Sequence, residues 1–193
     1  MSKRFKNIVK KILSERKFTL YEVNFDYEMT SGNWVEKNRE VFDCGNGATI
    51  LLYNPKKGTI ILNKQFRIAS KINGNETGFL LETPAGKIEE GESPADCIVR
   101  ETKEETGIKV KDLKPILNCF TSPGSVTERI YFFVAEYSEE DKVNEGGGKD
   151  SENEDIQVLE IDFNEAVAKI ESGEIIDAKT IMLIQYAQIN NLL

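Results

Sequence analysis

Histidine is missing altogether from the 193 residues. With it go the commonest general base, the commonest transition-metal ligand and every Ser-His-Asp or Cys-His arrangement, so acid-base work falls to carboxylates, Lys or Tyr. Cysteine is scarce. Cys44, Cys97 and Cys119 are odd in number, far apart and without zinc-site spacing, and read as reduced core thiols, which favours the cytoplasm. No run of about 18 apolar residues is present to span a membrane. Positive charge is in deficit: 25 Lys and Arg against 33 Asp and Glu give a net charge of -8, which argues against a nucleic-acid partner. The same acidity would repel an anionic substrate unless a bound cation or a local basic patch intervenes.

What is there suits one globular domain with a small N-terminal appendage: 39% of residues are hydrophobic and 30% charged. The basic start (Lys3, Arg4, Lys6, Lys10, Lys11) is interleaved with Ile8, Val9, Ile12 and Leu13 at helical spacing. This predicts a short amphipathic helix rather than an export signal. Phe18 to Phe42 predicts a long hairpin around Ser31-Gly32-Asn33, and Ala48 to Tyr53 with Thr59 to Phe66 a second, better buried one around Asn54 to Gly58. A polar loop, Ile72 to Gly78, leads to a short strand, Phe79 to Thr83, and then to the loop opening Pro84-Ala85-Gly86. Strands are predicted over 115–120, 129–137 and 156–161, with an acidic, mobile loop over 138–155. Helices are predicted over 164–172, capped by Asn164, and 178–190.

The informative stretch is 86–108. Ser93 followed by Pro94 marks a helix start and Gly107 a stop, predicting a helix over 94–106. Glu101 and Glu105 stack one turn apart on it, with Glu104 beside them and Arg100 one turn before Glu104. Crowded carboxylates near a helix C-terminus oppose both one another and the helix dipole. A hard divalent cation such as magnesium would compensate, whereas calcium-loop spacing is absent. A bare Glu cluster of this kind is otherwise a solvated helix end.

The order here is Gly86, five residues, Glu92, seven residues, Arg100-Glu101, Thr102, Lys103, Glu104-Glu105, Thr106, Gly107-Ile108. It resembles the signature of the Nudix hydrolases at every fixed glycine and polar position. Thr102 departs from the usual aliphatic residue, a packing variation with its methyl turned inward. The resemblance runs over essentially the whole chain and is nearest to the GDP-mannose pyrophosphatases, cousins of the ADP-ribose pyrophosphatases. Asn38-Arg39-Glu40, Gly45 to Asn54, Gln65-Phe66-Arg67, Asn73 to Glu76, Ser122-Pro123-Gly124, Thr127-Glu128, Gly146-Gly147-Gly148, Glu154-Asp155-Ile156, Asp177 and Lys179 carry it.

The resemblance implies an α/β/α sandwich with a mixed sheet over 44–193. It also implies an N-terminal extension over 1–43, combining the helix and hairpin, that builds a domain-swapped homodimer. It implies magnesium, with manganese as substitute, held by Glu101, Glu105, Glu154 and the Ala85 carbonyl, with Glu104 assisting. Glu154 is the matching position for the general base; Glu152 and Asp155 stand close enough to compete for it. Arg39 and Arg67 would grip phosphates, Gly86 would let the backbone approach, and Glu128 and Lys179 would touch substrate. Glu40 and Asn153 are weaker candidates for polar contacts. Lys17 stands where relatives carry an aromatic, which leaves base stacking open. The implied activity is cleavage of GDP-mannose to GMP and mannose 1-phosphate. ADP-ribose or a broader range of nucleoside diphosphate sugars is the same-class alternative, and a non-catalytic nucleotide-binding module the different-class one.

Overall fold

The computed structural model describes residues 4–149, 151 and 153–193. Lys3 and Glu152 lie outside the described residues. The chain divides into two compact units, one of residues 1–46 with 119–130, the other of 47–118 with 131–193.

The first unit is built on an antiparallel sheet of β1 (Phe5–Glu15), β2 (Thr19–Glu28) and β3 (Trp34–Asp43), in that order. The long hairpin is β2 and β3, closed at Met29 to Asn33 with Gly32 at φ 84°. The N-terminal segment, expected as a helix, is instead the strand β1. Its apolar spacing comes from a disrupted strand: the pairing with β2 shifts between Lys6 and Val9 and again between Ile12 and Ser14, and Asn7 has φ 53°. Each irregularity resets the two-residue alternation, and the resulting phase mimics a helical repeat. β-branched Ile8, Val9 and Ile12 favour the strand once β2 offers a partner. Segment 119–130 joins this unit where Phe42 bridges Val126.

The second unit is organised on a seven-stranded sheet. Its path is β10 (Gln157–Asp162), β5 (Thr59–Phe66), β4 (Gly47–Asn54), β9 (Arg129–Glu136) and β8 (Lys114–Phe120), with β6 (Phe79–Glu82) paired to β5 and β7 (Ala85–Lys87) to β4. The β4–β5 hairpin turns on Asn54, whose Oδ1 accepts from the Lys56 and Lys57 amides, and on Gly58 at φ 69°. β10, β4 and β6 run antiparallel to their partners on β5. The β9 start at Arg129 N bonds Asn46 Oδ1 and its end at Tyr137 N bonds Tyr53 O, so β9 follows β4 in the same direction and the sheet is mixed.

Residues 48–52 of β4 are all buried. Ala48, Ile50 and Leu52 pack with Cys97 and Ile98 of helix α2 (Pro94–Thr106). Thr49 points the other way, through a chain of hydroxyl contacts to Thr83 and Thr180 on helix α4 (Ala178–Ile189). Helices thus cover both faces, the α/β/α sandwich expected. A five-residue helix α1 (Ile68–Ile72) leads into the polar loop expected over 72–78, and Glu139–Asp141 forms a 3₁₀ turn within the acidic loop. Helix α3 (Phe163–Glu171) is capped by Asp162, not Asn164: its carboxylate accepts from the amides of Asn164 and Glu165. No helix of the described residues is long and apolar enough to cross a membrane.

Candidate functional site

The acidic constellation is set by the start and stop of α2. Ser93 Oγ accepts the Asp96 amide at 3.1 Å, Pro94 occupies the first turn, and Gly107 closes the helix at φ 72°. Cys97, Ile98, Thr102, Glu105 and Thr106 form the buried face. Thr102 is fully buried, and its hydroxyl donates to the Ile98 carbonyl at 2.6 Å, so the departure from an aliphatic residue leaves no unpaired group.

Glu105 is 4% exposed. Its Oε2 accepts from Asn63 Nδ2 at 2.9 Å and from the Ala85 amide at 3.0 Å. Burial, with the charges of Glu101 and Glu154, pushes its carboxyl up to about 8 despite the Ala85 hydrogen bond. Burial also raises Glu101, as do Glu104 and Glu154, although Arg100 opposes this. Arg100 holds three carboxylates. Its Nε and Nη2 grip Glu92 at 2.9 and 3.0 Å, while Nη1 donates to Glu101 at 2.8 Å and Glu104 at 3.2 Å. Lys149 adds an ion pair to Glu104 at 2.9 Å.

Two glycine positions bring backbone against these carboxylates. A Cβ on Gly86 would lie 2.0 Å from Glu101 Cδ, and one on Gly148 would lie 2.6 Å from Glu154 Oε2. Gly147 and Gly148 donate their amides to the carbonyls of Glu105 and Glu104, satisfying the end of α2. Glu154 is in turn fixed by the Lys149 amide, 3.0 Å from Oε2. Asn153 is exposed, at φ 53°.

Among the described residues no three Asp, Glu, Cys or His side chains form a ready-made ion cage. The donors nevertheless fit a hard divalent cation. Glu101 and Glu105 are carboxylates whose ionisation is suppressed by burial and by neighbouring carboxylates, so a cation would relieve both penalties. An open-sided oxygen set suits an ion that keeps waters and is completed by phosphate oxygens.

A second cluster surrounds Glu82, 4% exposed on β6. Arg67 donates Nε and Nη2 to its two oxygens at 3.0 and 2.7 Å, and Lys179 Nζ reaches Oε2 at 3.1 Å. Lys179 also meets Asp177 at 2.9 Å, whose carboxylate caps α4 through Thr180. Burial raises the Glu82 carboxyl, but the Arg67 hydrogen bond and the Lys179 and Arg67 charges outweigh it and leave it lowered. Sequence reasoning misses Glu82. The available signal was a lone acid directly after the apolar run Phe79 to Leu81, just before Pro84-Ala85-Gly86.

Arg39, Glu40 and Glu128 belong to the first unit. Arg39 and Glu40 are exposed on β3, where Arg39 Nη1 donates to the Asn38 carbonyl. Glu128 accepts from Thr121 Oγ1 at 2.8 Å.

Comparison with known proteins accounts for both parts of the chain. The NUDIX domain family model matches residues 45–183, and the model for the GDP-mannose pyrophosphatase NudK N-terminal domain matches residues 4–42. The chain is 47% identical over 193 residues, all of both chains, to proteins named GDP-mannose pyrophosphatase from Shigella dysenteriae serotype 1 (strain Sd197) and Escherichia coli O157:H7. It is 48% identical over 183 residues to the one from Escherichia coli O1:K1 / APEC, covering 95% of this chain and 94% of that protein. Nudix hydrolases generally use a divalent metal, in keeping with the donor set around Glu101 and Glu105. By domain match, full-length identity and the carboxylate helix, this chain belongs to the Nudix hydrolase family.

Proposed function

We propose that the chain hydrolyses the pyrophosphate bond of GDP-mannose, releasing GMP and mannose 1-phosphate, with magnesium, or manganese in its place, at the carboxylate helix. The observation that carries this is the placing of the α2 carboxylates against the 85–86 backbone, Glu105 on the Ala85 amide and Glu101 against Gly86, and full-length identity to proteins named for that substrate supports the choice of sugar nucleotide. Glu101, Glu105, Glu154 and the Ala85 carbonyl would hold the cation, with Glu104 assisting. Bound there, it would neutralise phosphate oxygens and acidify the attacking water. Glu154 accepts the proton as the water oxygen bonds to phosphorus and the bridging P–O bond breaks. Gly86 lets the backbone approach closely at the substrate site, with Glu101 against it. Arg67 and Lys179 engage its oxygens, for which the Arg67 fork is suited. Arg39, Glu40, Glu128 and Asn153 are, by the family resemblance, this reading's remaining candidates for contacts to substrate.

The N-terminal extension, 1–43, serves dimerisation in this proposal, by exchange between two copies. Phe5, Ile8, Val9, Ile12 and Trp34 are exposed, and apolar and aromatic surface of this kind is favoured in interfaces. The test is product identification by mass spectrometry after incubation with GDP-mannose or ADP-ribose, each with magnesium or chelator. Magnesium-dependent GMP and mannose 1-phosphate are expected, and faster AMP release from ADP-ribose would reassign the substrate. Glu105→Gln should keep the circular dichroism spectrum and lose most turnover; full activity in that variant would refute the site.

A further inference from the structure

Asn63 sits on β5 among Ile60, Ile61 and Leu62, and it is 3% exposed. Its Nδ2 donates to Glu105 Oε2, while its Oδ1 is buried without a hydrogen-bond partner among the described residues. The amide orientation follows from that bond, since the opposite flip would set oxygen against oxygen. A half-satisfied amide in an aliphatic strand works against folding, because an isosteric Leu would leave no orphaned acceptor there. Its contribution must therefore be sought at Glu105.

That carboxylate is clamped from two strands of the sheet, neither of them part of its own helix. Asn63 on β5 and the Ala85 amide on β7 donate to the same oxygen, Oε2. Two fixed donors on one oxygen block rotation about the terminal bond and assign the other oxygen, Oε1, to a ligand. We infer that Asn63 is a positioning residue that fixes the Glu105 carboxylate for cation binding. The inference rests on the proposal that Glu105 holds the metal.

The experiment measures Mn²⁺ binding to the full chain by electron paramagnetic resonance, for wild type, Asn63→Leu and Glu105→Gln, beside melting temperatures in chelator. Loss of a partner that orients a metal ligand typically weakens binding about 10–100-fold. Asn63→Leu should bind Mn²⁺ about tenfold more weakly, at the lower end of that range because the Ala85 amide remains, yet melt no lower than wild type. Wild-type binding in Asn63→Leu, with Glu105→Gln weakened, overturns the positioning role alone. Wild-type binding in Glu105→Gln overturns the metal proposal beneath it. A melting temperature that falls in step with binding marks a merely structural residue and also overturns the inference. Should Asn63→Leu fail to fold, Asn63→Ser, too short to reach Glu105, is judged by the same outcomes.

Discussion

Replacing Glu82 by Gln separates the electrostatic from the steric contribution of the cluster on β6. The substitution keeps shape but removes the negative charge that Arg67 and Lys179 share and turns one acceptor oxygen into a donating amide. Removing one partner of a fully buried ion pair costs about 3–5 kcal/mol. Here the Arg67 side chain is 42% exposed and can turn to water, and Lys179, 12% exposed, keeps Asp177, so the expected loss is nearer 2 kcal/mol. For a chain of this size that corresponds to a fall in melting temperature of about 4–8 °C. The pH dependence has a definite sign. The folded Glu82 carboxyl is lowered, so its stabilisation is complete above the unfolded carboxyl's range and fades as pH falls through its folded value. Gln does not titrate, so the gap between wild type and variant should close in acid. Thermal melts across a pH series are the assay. A variant melting within about 1 °C of wild type at neutral pH, or a gap that persists undiminished into acid, would refute the reasoning.

Gly86→Ala should displace Glu101, since the added methyl would lie 2.0 Å from its Cδ; a misplacement of about 1 Å can cost about a hundredfold in turnover, measured against unchanged circular dichroism. Turnover near wild type would show that Glu101 needs no such approach. Cys97 is fully buried, and burial with the Glu92 and Glu101 charges pushes its thiol up to about 12, so it should resist alkylation at mildly alkaline pH while Cys119 reacts. Peptide mapping that finds Cys97 labelled as fast as Cys119 would contradict the packing of α2.

Helix α2 was legible because its ends are encoded locally: Ser93, Pro94 and Gly107 act within a turn of their own positions. The hairpin β4–β5 was legible for the same reason, through Asn54 and Gly58. β1 was not, because its periodicity is broken at pairing irregularities that exist only once β2 is in place. The cap of α3 was misplaced by two residues since Asp162 and Asn164 are both competent, and the choice depends on where β10 ends. At the site, Glu101, Glu104, Glu105 and Arg100 were legible from helical spacing taken together with the Nudix resemblance, although the grip of Arg100 on Glu92 spans the preceding loop. Asn63 and Glu82 stayed hidden because each sits on a strand and reaches partners on other elements. Their partners, Glu105 for one and Arg67 with Lys179 for the other, lie 42, 15 and 97 positions away.

The stitching of 119–130 to β3 bears on how the gene can be cut. Phe42 donates to the Ser125 carbonyl and accepts from the Thr127 amide, and Asp43 takes the Thr127 hydroxyl. A deletion of the first 43 residues would therefore strip more than an appendage. It would leave the stretch that presents Glu128 with severed backbone bonds, in a fragment that still contains the whole matched domain, 45–183. Expression of 44–193 alone would be an experiment on a wounded protein, and a loss of activity in it would say nothing about dimers.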